Sequence, residues 1–308
     1  MLKVERLNKS FGGFKALENI SFEIREGSIH GFLGRNGAGK TTTMNILAGI
    51  LNYESGSIIY RDKSYERNKS TILKNIGYSP QEHHFYDYMT AEEYLRFLAK
   101  ITKLNSREAR SRIEMFLEFM NLKEQGRKLI GQYSGGMKQK LSIISAIFNN
   151  PEFIILDEPT SALDPEGRAE ILEFVLKLKN QGSTVFLSTH ILNDVERICD
   201  YITIIEKGRI LVTEELKVLK EKYIKPIYDV EIEGDLENIA HRLSDFYWIE
   251  DIIVEKERLS VLFKDNDAGR RQLIPEIIKA GGIIKSYNLR NMSMEDIFKR
   301  TVGDNEQL

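Results

Sequence analysis

The stretch "GFLGRNGAGKTT", residues 31–42, sets four glycines among its positions and ends on Lys40, Thr41 and Thr42. A surface turn needs one or two glycines, not a spaced set followed by Lys-Thr. From Gly34 through Gly39, Lys40 and Thr41 the spacing is that of a phosphate-binding loop, G-x-x-x-x-G-K-[ST]. Glycines let successive backbone N–H groups turn inward and form an anion-binding nest. Lys40 is then placed for the β- and γ-phosphates of a nucleotide, and the Thr41 hydroxyl for Mg²⁺. The flanks agree. "SIHGFL" reads as a buried strand, and "KTTTMNILAGI" as a helix with apolar Met44, Ile46, Leu47 and Ile50.

At 308 residues the chain exceeds one usual domain, so two are expected. A 42% hydrophobic share with 29% charged residues describes an ordinary soluble globular protein. No uncharged apolar run approaches the ~18 residues that span a bilayer, and "MLKVERLNKS" lacks the apolar core of a signal peptide. The single cysteine, Cys199, rules out an internal disulfide and reads as small apolar filler beside Ile198. A formal charge of −2 without blocks of like charge gives no support to nucleic-acid binding.

Along the chain, "LKVERLNKSF" and "ISFEIREGSIHGF" alternate like strands of a sheet layer ahead of the phosphate loop. "GSIIYRD" and "NIGYSP" are shorter strand-like pieces. Thr90-x-x-Glu93 is a capping-box signature, followed by Tyr94, Leu95, Phe97 and Leu98 at helical spacing. A second helix carries Ile113, Phe116, Leu117 and Met120. "EFIILD" and "STVFLS" are apolar runs of the fully buried, parallel kind, and "YITIIEKGRILV" is a hairpin turning near Gly208. After "EKYIKP" the pattern shifts. Tyr228, Val230 and Ile232 alternate with acids, Leu236, Ile239 and Leu243 mark a helix, and two strands turn near Lys256–Glu257. A helix with Leu273, Ile274, Ile277 and Ile278 stops at Gly281-Gly282, and "IIKSYNL" is a last strand. The order βαββαβ predicts a ferredoxin-like α+β domain over 223–308, with a helix capped at Ser293 to close it.

Two further stretches carry chemistry. "FIILDEP" runs a buried strand into Asp157-Glu158, the place where a nucleotide's Mg²⁺ must be held. Neighbouring side chains at a strand end point in different directions, so one acid can serve the metal and the other the attacking water. "YSGGMKQK", residues 133–140, offers Ser134 and the Gly135 and Gly136 amides as a second anion site at a helix N-terminus. Taken alone it reads as a helix cap before it reads as an anion site.

Together these stretches resemble the ATP-binding-cassette (ABC) ATPases, over about residues 2–215. The resemblance implies a P-loop α/β fold over 1–222. Its parts are a RecA-like core, an antiparallel β layer and a helical subdomain over about 82–140. It implies ATP and Mg²⁺ as ligands, with Gly34, Asn36, Gly37, Ala38, Gly39, Lys40, Thr41 and Thr42 around the phosphates. It also explains two phosphate sites in one chain, because cassettes of this family pair head to tail and each signature loop closes over its partner's ATP. Gln81 in "SPQE" is similar to the family glutamine that touches Mg²⁺ and water. Asp157 corresponds to the metal acid, Glu158 to the catalytic base and His190 in "LSTH" to the switch histidine. Asp164, ending "SALD", corresponds to the loop between cassettes. Phe11 stands where an aromatic, usually Tyr, stacks on adenine.

Arg35 stands for a frequent proline, and Tyr133 and Met137 replace the commoner Leu and Gln of the signature. His83-His84 are adjacent rather than at i,i+4 spacing, so no metal site is expected there. "HHFYDYMT" falls where the family meets its membrane subunit, so Phe85, Tyr86 and Tyr88 are either a partner contact or local core. The tail "SMEDIFKRTVG" is similar to that of bacterial multidrug and bacitracin-type exporter ATPases. The expectation is therefore an ATP-hydrolysing exporter subunit on the cytoplasmic face of the membrane. It would work with a second cassette, identical or paralogous, and a separate transmembrane permease. An importer ATPase with a substrate-sensing tail and a soluble ABC ATPase acting on ribosomes or DNA are the alternatives.

Overall fold

A computed structural model describes residues 1–223, 226–291 and 296. It divides into two compact units, one over Met1–Lys217 and one beginning at Val218. The first runs β1 (Leu2–Phe11), β2 (Phe14–Ile24), β3 (Ile29–Leu33), α1 (Lys40–Leu47), β4 (Ser55–Tyr60), β5 (Lys63–Ser64) and α2 (Tyr65–Ile72). It continues with β6 (Ile76–Ser79), α3 (Ala91–Ile101), α4 (Ser106–Phe119), α5 (Gly135–Ile147), β7 (Phe153–Asp157) and α6 (Pro165–Asn180). Last come β8 (Thr184–Thr189), α7 (Leu192–Ile198), β9 (Tyr201–Glu206) and β10 (Arg209–Glu215).

Two sheets form. One is antiparallel in the order β2-β1-β4-β5, and the other runs β10-β9-β3-β8-β7-β6. In the second, β9, β3, β8, β7 and β6 are all parallel, and β10 pairs antiparallel with β9. Every residue of β3, β7 and β8 is buried, as sheets covered on both faces require. The main core lies between the two sheets and α1, where Phe22 meets Phe32 and Phe186 at ring distances of 5.3 and 5.7 Å. "ISFEIREGSIHGF" is not one strand. The chain turns at Gly27, whose φ is +68° and whose N–H donates to Thr184 Oγ1 at 2.9 Å, and its halves enter different sheets. Helix α1 stops at Leu47, with Gly49 at φ +77°, so Ile50 falls beyond it and is exposed.

The capping box opens α3 as expected. Glu93 N–H donates to Thr90 Oγ1, and Thr90 N–H donates back to the Glu93 carboxylate. Cys199 is buried and free.

The second unit carries α8 (Leu216–Tyr223, which straddles the division), β11 (Pro226–Glu233), α9 (Leu236–Ser244), β12 (Ile249–Glu255), β13 (Arg258–Phe263), α10 (Asn266–Lys279) and β14 (Ile283–Asn291). Its sheet is antiparallel throughout, in the order β12-β13-β11-β14. Following βαββαβ, that order is the ferredoxin-like arrangement. Its own core gathers Tyr228, Val230, Ile239, Trp248, Val261, Phe263 and Leu273. The helix expected from Ser293 through Ile297 and Phe298 lies outside the described residues, apart from Asp296. That carboxylate is buried and paired with Arg290.

Candidate active site

The parallel strands aim their carboxyl ends at one place, where open α/β sheets hold ligands. β3 leads into Gly34, β7 ends on Asp157, β8 leads into His190, and β6 runs toward Gln81. Between β3 and α1 the loop folds tightly. A Cβ on Gly34 would stand 2.4 Å from the Ile205 carbonyl oxygen, and one on Gly39, at φ +112°, would stand 2.7 Å from Leu17. No other residue fits either position.

Lys40 is buried. Its Nζ donates to the carbonyls of Gly34 (2.8 Å) and Arg35 (3.2 Å) and stands 3.2 Å from Glu158 Oε1. Glu158, also buried, adopts a left-handed φ of +50° directly after β7. Such strain is tolerated where neighbours hold it. Its other oxygen meets His190 Nδ1 at 2.9 Å. Burial raises the Asp157 carboxyl above its ordinary range, and the hydroxyl dipoles of Ser188 and Thr41 pull the other way. Ser188 Oγ donates to Asp157 Oδ1 and accepts the Glu158 N–H at 2.9 Å, which leaves the buried Asp157 Oδ2 without a hydrogen-bond partner.

A cleft of about 390 Å³ opens over these groups, lined by Phe11, Phe14, Ala16, Asn36, Gly37, Gly39, Lys40, Thr41, Thr42, Gln81 and Glu158. Of the expected loop residues, Ala38 is buried and its backbone groups are engaged within the fold. Its N–H donates to Arg35 O, and its carbonyl accepts from Gly208.

The signature residues are elsewhere. Ser134, Gly135 and Gly136 line a second cleft with Ala162, Leu163 and Asp164. Two of its polar side chains, Ser134 and Asp164, are helix caps. Ser134 Oγ accepts from Met137 N–H at 3.3 Å to open α5, and Asp164 accepts from Gly167 N–H at 2.8 Å to open α6. The structure thus collects the expected residues into two groups and does not bring the groups together.

Sequence reasoning missed three supporting residues. Ser188 ties both acids together. Thr160 and Asp194, both buried, share a 2.6 Å hydrogen bond that fastens the loop between Glu158 and Asp164 to α7. Their sequence signals are weak: Thr160 follows the acid pair, and Asp194 lies one helical turn beyond His190. Of the aromatic set after Gln81, Phe85 packs edge-on against Tyr94 at 5.1 Å, whereas Tyr86 and Tyr88 are exposed. His83 Nε2 is engaged with Gln139 Oε1 at 2.8 Å.

Comparison with known proteins agrees with this geometry. Residues 17–161 match the ABC transporter family, and residues 215–302 match the C-terminal domain of DrrA1-3-like ATP-binding proteins. The uncharacterized ABC transporter ATP-binding protein YxlF of Bacillus subtilis (strain 168) is 37% identical over 310 residues, covering 98% of this chain and 99% of that protein. The bacitracin transport ATP-binding protein BcrA of Bacillus licheniformis is 33% identical, with coverage of 98% and 97%. Among solved structures, the dimeric post-hydrolysis state of the cassette MJ0796 bound to ADP and Pi superimposes with a TM-score of 0.65 at 27% identity. It covers 70% of this chain and 99% of that one. With a phosphate loop, two buried acids and a histidine gathered at the strand ends, and relatives matching along its whole length, the chain belongs to the ATP-binding subunits of ABC transporters.

Proposed function

We propose that this chain binds MgATP in the first cleft and hydrolyses it when a second cassette supplies Ser134, Gly135, Gly136 and Asp164. The observation that carries this reading is the separation of the two clefts within one chain. A head-to-tail pair of cassettes would face each phosphate loop with the partner's signature loop.

In this reading Phe11 stacks on the adenine, and the loop amides with Lys40 hold the phosphates. Glu158 draws the proton from the attacking water, and His190, already bonded to it, keeps that carboxylate oriented. Gln81 lines the same cleft and would contact the attacking water and a bound metal. A divalent cation fits here, because the orphaned Asp157 Oδ2 is a hard oxygen donor held from behind by Ser188. Thr41, Gln81 and Asp157 would hold Mg²⁺, which supplies charge neutralisation to the phosphates.

The chain powers an exporter of drugs, peptides or lipids through a separate permease. The bacitracin relative and the DrrA-like second unit favour export over import. No described helix is long and apolar enough to cross a membrane. We place the chain at the inner face of the cell membrane, with exposed Tyr86, Tyr88 and Phe97 meeting the permease. The test is ATP-driven pairing. Glu158→Gln protein should elute as a dimer with ATP and as a monomer with ADP, and a chain that stays monomeric in both overturns the composite site.

A further inference from the structure

The tip of the β1–β2 hairpin carries a second aromatic ring that no motif explains. The strands turn through Gly12-Gly13, at φ +53° and +90°, a tight turn that only glycines accept easily. Phe11 and Phe14 flank it as cross-strand partners. Residues directly opposite on antiparallel strands present their side chains on the same face. That face looks into the first cleft, and both rings line it with the phosphate loop. Phe11 is 46% exposed and Phe14 66%, so neither ring is absorbed by the core. The Lys9 ammonium lies 5.0 Å from the Phe11 ring centroid and occupies one face of that ring, which leaves the other for a planar group.

The hairpin contributes Phe11, Phe14 and Ala16 to the lining, an apolar surface that brings no side-chain hydrogen-bonding group of its own to read a base edge. The phosphate end is polar and fixed by backbone. Such a cleft recognises a nucleoside triphosphate by its phosphates and by the stacking area of its base. We propose that Phe14 is a second nucleobase contact, acting with Phe11 and setting a preference for purine over pyrimidine triphosphates. This rests on the reading of Phe11 as the base-stacking residue, and the experiment separates the two.

Binding of ATP, CTP and inorganic triphosphate is measured by calorimetry on the full chain and on Phe14→Ala, Phe14→Tyr and Phe11→Ala, with ATPase KM and kcat alongside. Base stacking on a protein ring accounts for about five- to hundredfold in affinity. Phe14→Ala should therefore weaken ATP at least about fivefold, leave inorganic triphosphate within about twofold, and shrink the ATP-over-CTP ratio. KM should rise while kcat holds, and Phe14→Tyr should restore both affinity and ratio. If Phe14→Ala binds ATP normally while Phe11→Ala does not, the proposal fails and the Phe11 reading stands. If neither variant changes ATP affinity, both fail. An equal loss for inorganic triphosphate makes Phe14 a support of the hairpin and also overturns the proposal.

Discussion

The Glu158 carboxylate lies 3.2 Å from the Lys40 ammonium, and both side chains are more than nine-tenths buried. One group serves the phosphates and the other the water in the proposed chemistry, so two substitutions separate binding from catalysis. Lys40→Ala should weaken ATP binding itself. Glu158→Gln should bind and keep ATP while hydrolysis falls by about 10²–10⁴, the contribution of a positioned base. Filter binding and phosphate release measure the two. Wild-type turnover by Glu158→Gln would remove Glu158 from the role of base.

The composite site makes a prediction that no single-chain site can. Ser134→Arg should leave monomer nucleotide binding nearly intact while blocking hydrolysis. Mixed with Lys40→Ala, it forms a heterodimer whose two lesions fall in one composite site, leaving the other whole. Activity of the mixture should exceed that of either mutant homodimer, unless the two sites are strictly coupled. Loss of ATP binding by isolated Ser134→Arg monomers would sink the inter-subunit assignment.

Thr160 and Asp194 fasten the loop behind Glu158 through one buried hydrogen bond of 2.6 Å. Thr160→Val keeps the shape and strands a buried carboxylate, whose nearest cation, Arg168, is 3.9 Å away. Leaving such an acceptor unsatisfied costs about 1–3 kcal/mol. Urea unfolding should show that loss, and Thr160→Ser should recover most of it. Equal midpoints for Val and Ser would show that the hydrogen bond contributes nothing.

How much of this was legible in the sequence depended on how local each signal was. The phosphate loop, the Asp157-Glu158 strand end and the Thr90 capping box are written in consecutive residues, and the structure has all three. Reading Asp164 as the end of a loop hides helix α6, although Asp164-Pro165 is a good start signal, a capping acid with proline in the first turn. Helix α2 is short, with non-helical dihedrals at Asn68, and offers little periodicity to detect. The two-cleft arrangement is legible only through the family resemblance, which implies a second anion site completed by a partner, and not from residue spacing. It depends on where β7, α5 and α6 fall in three dimensions, which no spacing records.

His30 gives the fold a calculable response to acid. It is fully buried among Phe22, Phe186 and Tyr201 with Nε2 on Thr203 Oγ1, and burial holds its pKa down to about 3 from an ordinary 6.5. Above 6.5 the ring is neutral whether folded or not, so the shift has no effect on stability. Below 6.5 the unfolded chain takes up a proton that the folded chain refuses. Stability should fall by about 1.4 kcal/mol per pH unit until the folded value is reached. Between pH 7.5 and 5.5 wild type should lose about 1.4 kcal/mol more unfolding free energy than His30→Gln, because only the unit below 6.5 counts. Parallel slopes would mean that His30 is not held neutral by the fold.

The second unit has its own antiparallel sheet and its own core around Trp248, Tyr228 and Phe263, and none of the proposed catalytic groups belongs to it. Chemistry should therefore not depend on it. What such an appendage can do is bias the pairing of two cassettes, since ATP-driven closure is an equilibrium. A contact between two such units that favours the paired state by ~1.4 kcal/mol changes its population about tenfold while the paired form is minor. A chain ending near Lys222 should fold and bind ATP with little change. Its specific activity at low protein concentration should shift, because pairing now rests on the cassettes alone. ATPase rate against protein concentration for the full and shortened chains, with ATP affinity measured in parallel, decides the matter. Superimposable curves remove the regulatory role, and a shortened chain that cannot fold refutes an independent cassette.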